Sequence, residues 1–132
     1  MTARTTRNWT PELVADTYVS IWSEPDAHNR RSVIAQLWAA DGTEYVEGAQ
    51  FRGHDALEAR VSQAYAEFVA SGKYLVTRSD DMALFGDLIM LTIQLIATDD
   101  GAIAWAARVF LLMDDQSRIR ADYQLTVQPL AA

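Results

Sequence analysis

Trp38-Ala-Ala-Asp41-Gly42-Thr43-Glu44-Tyr45-Val46-Glu47-Gly48-Ala49-Gln50-Phe51-Arg52-Gly53-His54-Asp55-Ala56-Leu57 is a short extended interlude between two helical patterns. On its N-terminal side, Thr10-Pro11-Glu12 reads as a helix start, with Thr10 as N-cap and Pro11 where a missing N–H costs nothing. Leu13, Val14, Tyr18, Ile21 and Trp22 follow at helical spacing, and Pro25 is expected to end that helix. After the polar loop Glu24 to Asn29, a second helix carries Val33, Ile34, Leu37 and Trp38 and stops at Asp41-Gly42. Within the interlude, Thr43 to Glu47 and Gln50 to Arg52 form two short strands around Gly48. A third helix opens near Gly53 to Asp55 and runs through Leu57, Val61, Tyr65, Phe68 and Val69 to Ser71-Gly72.

Beyond Lys73 the pattern changes to strands: Tyr74 to Arg78, Met82 to Phe85, Leu88 to Thr98, Ile103 to Met113 and Arg118 to Gln128. Acidic and glycine turns separate them, which predicts an antiparallel meander. Helices gathered at one end of the chain and strands at the other predict an α+β fold with helices on one face of a sheet. If the sheet curls, the two layers enclose a pocket. One domain over residues 10–132, preceded by a flexible tail at 1–9, suits a chain of 132 residues.

Eleven Lys and Arg against eighteen Asp and Glu leave a formal net charge of -7, the wrong sign for a phosphate backbone, so no nucleic-acid partner is expected. With no Cys, disulfides and thiolate chemistry are absent. His28 and His54 stand alone, at no spacing that supplies a second ligand, so no metal or other cofactor is expected. Glu12 and Asp16 interrupt any leader-like run, and no uncharged apolar stretch reaches the ~18 residues a bilayer span needs. The expectation is a cytoplasmic protein with no membrane partner.

The order of these elements resembles the nuclear-transport-factor-2-like superfamily, and within it SnoaL-like polyketide cyclases and ketosteroid isomerases. The residues carrying the resemblance are Tyr18 on the first helix, the run into Trp38-Ala-Ala-Asp41-Gly42, the acidic hairpin, and Gly53-x-x-Ala56-Leu57 opening the third helix. It implies a cone of curved antiparallel sheet packed against three N-terminal helices, around a mostly apolar cavity. The superfamily hosts isomerases, cyclases, dehydratases, epoxide hydrolases, binding modules and scaffolds, so the site must choose among them. By the ketosteroid isomerase pattern the oxyanion-hole tyrosine matches Tyr18. The general base falls on Val46, with Glu47 beside it and Glu44 two residues away on the same face, and the second acidic donor falls on Val109.

The last strand offers another acid. Ile119, Ala121, Tyr123, Leu125 and Val127 alternate with Arg120, Asp122, Gln124, Thr126 and Gln128. A turn at Asp114 to Ser117 would pair Asp122 with Val109 and Tyr123 with Arg108, so that Asp122 shares a face with Trp105, Ala107, Val109 and Leu111. In SnoaL-like relatives the corresponding polar residues often point into the cavity, which implies that Asp122 and Gln124 do so here. The alternative is a solvated polar face with Asp122 beside Arg120.

A desolvated Asp122 would act as the general acid or base, Tyr18 would polarise an oxygen and Gln124 would orient a substrate. Trp22, Trp38, Val46, Phe68, Met90, Thr92, Trp105 and Val109 are the candidate substrate-binding residues. Thr92 and Gln94 share one strand face, which could equally meet solvent or a second subunit. Arg108 reads as a structural residue on Tyr123 or at a dimer interface, whereas limonene-epoxide-hydrolase-like chemistry would need it inward beside an acid. The expected function is a cofactor-independent cyclase, isomerase or related lyase acting on a hydrophobic small molecule. A non-catalytic binding or dimerisation module stands as the alternative, and a homodimer through the sheet is expected in either case.

Overall fold

The computed structural model describes residues 9–131. Helix α1 spans Pro11–Ile21, and Thr10 caps it by accepting from the Leu13 N–H. It ends before Pro25, because the chain turns at Trp22 and Ser23. Helix α2 spans Ala27–Leu37 and begins earlier than the loop at Glu24 to Asn29 suggests. Asp26 supplies the missing cap, its carboxylate accepting from His28 N at 2.8 Å and Asn29 N at 3.4 Å. The expected tail at 1–9 lies outside the described residues except for Trp9, which packs against the core.

Trp38 is the first residue of strand β1 (Trp38–Val46), not the last of α2. Its helical spacing from Ile34 loses to pairing with Ile119, and its backbone is already extended. Asp41-Gly42 therefore does not stop a helix; it sits in a bulge where the register slips between Trp38 and Thr43. Gly42 is required there by close approach, since a Cβ would lie 2.6 Å from Trp38 Cδ1 and 2.8 Å from the Ile119 carbonyl. Strand β2 (Ala49–Arg52) returns antiparallel to β1. Helix α3 (His54–Ala64) runs on into a single π-helical stretch, Tyr65–Val69.

Strands β3 (Tyr74–Arg78), β4 (Ala83–Phe85), β5 (Leu88–Ala97), β6 (Ile103–Met113) and β7 (Ile119–Gln128) follow. The sheet order is β2-β1-β7-β6-β5-β3, with β4 pairing β5. Neighbours are antiparallel except β1 and β7, which run parallel and join the early hairpin to the end of the chain. Bulges in β1, β6 and β7 bend the sheet. The three helices cover its concave face: Val14, Tyr18, Ile34, Leu37, Leu57 and Val61 pack against Leu91, Ile93, Val109, Leu111 and Ile119. The architecture is an α+β cone, as expected. Among the described residues no helix is long and apolar enough to cross a membrane.

Candidate active site

Tyr18 points from α1 into the cone with its ring wedged against Trp22 and Trp38, at centroid distances of 5.9 and 5.7 Å. It is fully buried, so its hydroxyl needs a partner. That partner is Asp122: Tyr18 Oη donates to Asp122 Oδ2 at 2.7 Å. Gln124, two residues on and therefore on the same face of β7, donates through Nε2 to Tyr18 Oη at 2.7 Å and to Glu44 Oε2 at 2.8 Å. Glu44 is the residue of β1 that sits directly beside Asp122 in the parallel pair, and both carboxyls are at most 1% exposed. Arg60 reaches over from α3 and donates through Nε to Glu44 Oε1 at 3.0 Å. Its guanidinium lies over the rings of Trp22 and Phe51, 5.5 and 5.4 Å from their centroids.

Burial away from water lifts the Asp122 carboxyl well above the usual carboxylate range, and the neighbouring Glu44 charge lifts it further; the Tyr18 hydrogen bond only partly opposes them. Burial raises Glu44 as well, but the Arg60 charge and hydrogen bond pull the other way. Tyr18 is pushed well above the ordinary phenol range, first by burial and then by the two carboxyls, and so stays protonated. The result is a buried acid held by a neutral phenol, next to a second carboxyl that has its own cation and the Gln124 amide.

Adjoining this cluster is a cavity of about 300 Å³, at the small end of ligand sites. Its walls are mainly Trp22, Phe68, Val76, Ile93, Leu95 and Trp105, and its polar groups are Arg60, Gln124 and Glu67. Gln124 and Arg60 belong to both cavity and cluster, whereas Tyr18 and Asp122 lie behind them.

No protein-family model matches the chain, and no curated protein matches its sequence. Solved structures do resemble it. A SnoaL-like family protein from Agrobacterium tumefaciens str. C58, for which an isomerase activity has been suggested, superposes with a TM-score of 0.76 at 21% identity, over 86% of this chain and 93% of that one. A suggested polyketide cyclase from Sinorhizobium meliloti superposes at 0.65 and 15% identity, covering 89% of this chain and all of the other. A protein with a ketosteroid isomerase-like fold from Catenulispora acidiphila, solved with trimethylamine, gives 0.66 at 18% identity, over 89% and 86%. The fold is NTF2-like.

Within this NTF2-like cone the structure brings Tyr18, Asp122 and Gln124 together, and it sets Trp22, Phe68 and Trp105 on the cavity wall. The other expected lining residues lie elsewhere. Trp38 and Val109 are buried in the core, and Val46 sits half-buried at the end of β1, off the cavity. Met90 and Thr92 are on the far face of β5, because Leu91, Ile93 and Leu95 take the inward positions. There Thr92 Oγ1 donates to Asp81 at 2.7 Å. Arg108 is exposed on that outer face, 3.9 Å from Asp81, and Tyr123 stacks on Tyr45 rather than on Arg108. With Arg108 pointing away from the cavity, the epoxide-hydrolase arrangement built on it does not form.

The β6–β7 register is two residues from the expected one: Asp122 pairs with Leu111, and Gln124 with Val109. A loop one residue longer, with Ser117 at φ 59°, and a bulge between Leu112 and Met113 add one residue each. Two is the side-chain period of a strand, so Asp122 still faces inward.

Glu44 and Arg60 are the members of the cluster that sequence reasoning did not assign to the site. Arg60 did leave a trace, as a charge on the α3 stripe between Leu57 and Ala64. His54 is tied to the Trp38 carbonyl through Nε2 at 3.0 Å, as a helix-start residue. Among the described residues no group of three His, Cys, Asp or Glu could hold a metal.

Proposed function

We propose that this chain is a cofactor-independent acid/base enzyme of SnoaL-like type, performing cyclase, isomerase or related lyase chemistry on a compact hydrophobic molecule. The observation that carries this reading is the buried Asp122 carboxyl, bonded at 2.7 Å to Tyr18, which in turn is bonded to Gln124 on the wall of an apolar cavity. Asp122 moves the proton, Tyr18 stabilises developing negative charge on a substrate oxygen, and Gln124 orients the substrate. Gln124 stands between the cavity and Asp122, so the substrate's polar group must displace its amide from Tyr18 and Glu44 before Asp122 can act. A surface strip of Tyr123, Leu125 and Val127 on the outer face of β7 supports a homodimer through the sheet.

The test starts from ligands retained by the purified protein, identified by native mass spectrometry and used as substrates. Asp122→Asn should abolish turnover, a loss of about 10²–10⁴-fold, and spare binding. Unchanged turnover removes Asp122 from the mechanism. A second reading, a non-catalytic ligand-binding module, is favoured by the seclusion of Tyr18 and Asp122 behind Gln124. Under it the same ligands leave chemically unchanged.

A further inference from the structure

The hydrogen bonds around the two buried carboxyls are unequally shared. Glu44 has both oxygens served, Oε1 by Arg60 and Oε2 by Gln124. Asp122 has only Oδ2 served, by Tyr18, while Oδ1 is buried and receives no donor. Two adjacent ionised carboxylates would leave that oxygen bare beside another negative charge. A proton on Asp122 Oδ1 removes the conflict, because it cancels one of the two charges and gives that oxygen an O–H to offer Glu44, its neighbour in the β1–β7 pair.

We infer that Arg60 is the positioning residue of this pair: by anchoring Glu44 through Nε it holds the negative charge on Glu44 and leaves the single shared proton on Asp122. The groups facing Asp122 support that assignment element by element. Helix α1 contributes the Tyr18 phenol, β1 contributes Glu44, α3 contributes Arg60, β7 adds the uncharged Gln124, and β6 presents Leu111 and Val109. Arg60 is the one cation among them. Glu67, the acid on the cavity wall, is exposed and seven residues beyond Arg60 in sequence. Arg60 is itself held, sandwiched over Trp22 and Phe51, so its charge stays at Glu44. A charge so placed keeps Glu44 ionised and the proton of the pair on Asp122.

The inference deepens the acid/base reading and rests on it for the use made of the proton, but its test needs no substrate. The carboxyl carbons of Asp and Glu are labelled with ¹³C in the full chain and titrated by NMR, with Asp122→Asn and Glu44→Gln giving the assignments. At neutral pH the wild type should show Asp122 protonated and Glu44 ionised. Arg60→Met should add one protonated carboxyl, Glu44, and Arg60→Lys should return Glu44 to the ionised form. A merely structural Arg60 would lower the melting temperature and leave the protonation pattern unmoved. Glu44 remaining ionised in Arg60→Met overturns the inference, as does a wild type with Asp122 ionised.

Should Arg60→Met not fold, Glu44→Gln decides. Asp122 should then titrate at lower pH, and an unchanged midpoint overturns the inference. Loss of the proposed turnover mechanism with this NMR pattern intact would refute the acid/base reading alone; the reverse would refute the role of Arg60 alone.

Discussion

Replacing Asp122 with Asn should make the fold more stable at neutral pH while ending the proposed turnover. In the native state burial and the Glu44 charge hold the Asp122 proton far above the range of a free aspartate. In the unfolded chain the same group titrates near about 3.9. Between those two values the native state binds one proton more than the unfolded state. The stability given by neutral Asp122 is therefore complete below the unfolded value and is lost as pH rises through the native one. One proton corresponds to a slope of about -1.4 kcal/mol per pH unit.

The Asp122→Asn side chain still accepts from Tyr18 and can donate to Glu44, but it does not titrate. Because Asp122 is neutral throughout this window, Glu44 faces an uncharged neighbour in both proteins and its own titration cancels on subtraction. Urea unfolding, followed by the fluorescence of the buried Trp22 and Trp38 at a series of pH values, gives the two stability curves. Their difference should fall at the one-proton slope up to the native titration of Asp122, with the wild type the loser as pH rises. Parallel curves would refute the reasoning. A wild type that gains on the variant with rising pH would refute it too, because that sign belongs to a carboxylate stabilised in its ionised form.

Tyr18→Phe removes an oxygen that makes two bonds of 2.7 Å, one buried and one part-buried, and leaves Asp122 Oδ2 and a Gln124 N–H without partners. It should cost about 2–4 kcal/mol and lower the melting temperature by roughly 10 °C, measured by calorimetry. Gly42→Ala drives a Cβ to within 2.6 Å of Trp38 Cδ1 and should cost about 1–3 kcal/mol with a change in Trp fluorescence; an unchanged melting temperature would contradict the packing described. Ala64→Trp fills the cavity from the end of α3 and should weaken uptake of an apolar fluorescent dye at least about tenfold, a difference of ~1.4 kcal/mol, without altering the Tyr18–Asp122 bond.

The bounds of β3 and β6 follow directly from alternation and turn residues, and Thr10-Pro11 marks the start of α1 because capping is a local effect. What could not be read is non-local. The parallel pairing of β1 with β7 joins segments with no sequence signal of adjacency, so Glu44 was legible only as part of an acidic hairpin and not as the neighbour of Asp122. Alternation groups Met90 with Thr92 and Leu91 with Ile93, but the helices decide which pair faces the cavity. The inward face of Asp122 and Gln124, implied by the resemblance, survives the two-residue shift of the β6–β7 register because an even shift keeps the face. Trp38 kept its helical spacing to Ile34 and lost its helical backbone to a strand partner 81 positions away.

The parallel seam between β1 and β7 also makes the candidate site a late product of folding. Tyr18 and Asp122 are 104 residues apart, Tyr18 and Gln124 106, and Glu44 and Gln124 80. The hairpins of β5, β6 and β7 can form from local pairing, but the carboxyl pair exists only after the first strand closes against the last, the contact with the largest loop to close. On a ribosome, the first two-thirds of the chain would emerge with Tyr18 unpartnered, Glu44 able to meet only Arg60, and Asp122 not yet made. The paired carboxyls thus serve as a signature of completed assembly: a partly folded cone can hold its helices and its meander and still lack the Glu44–Asp122 pair.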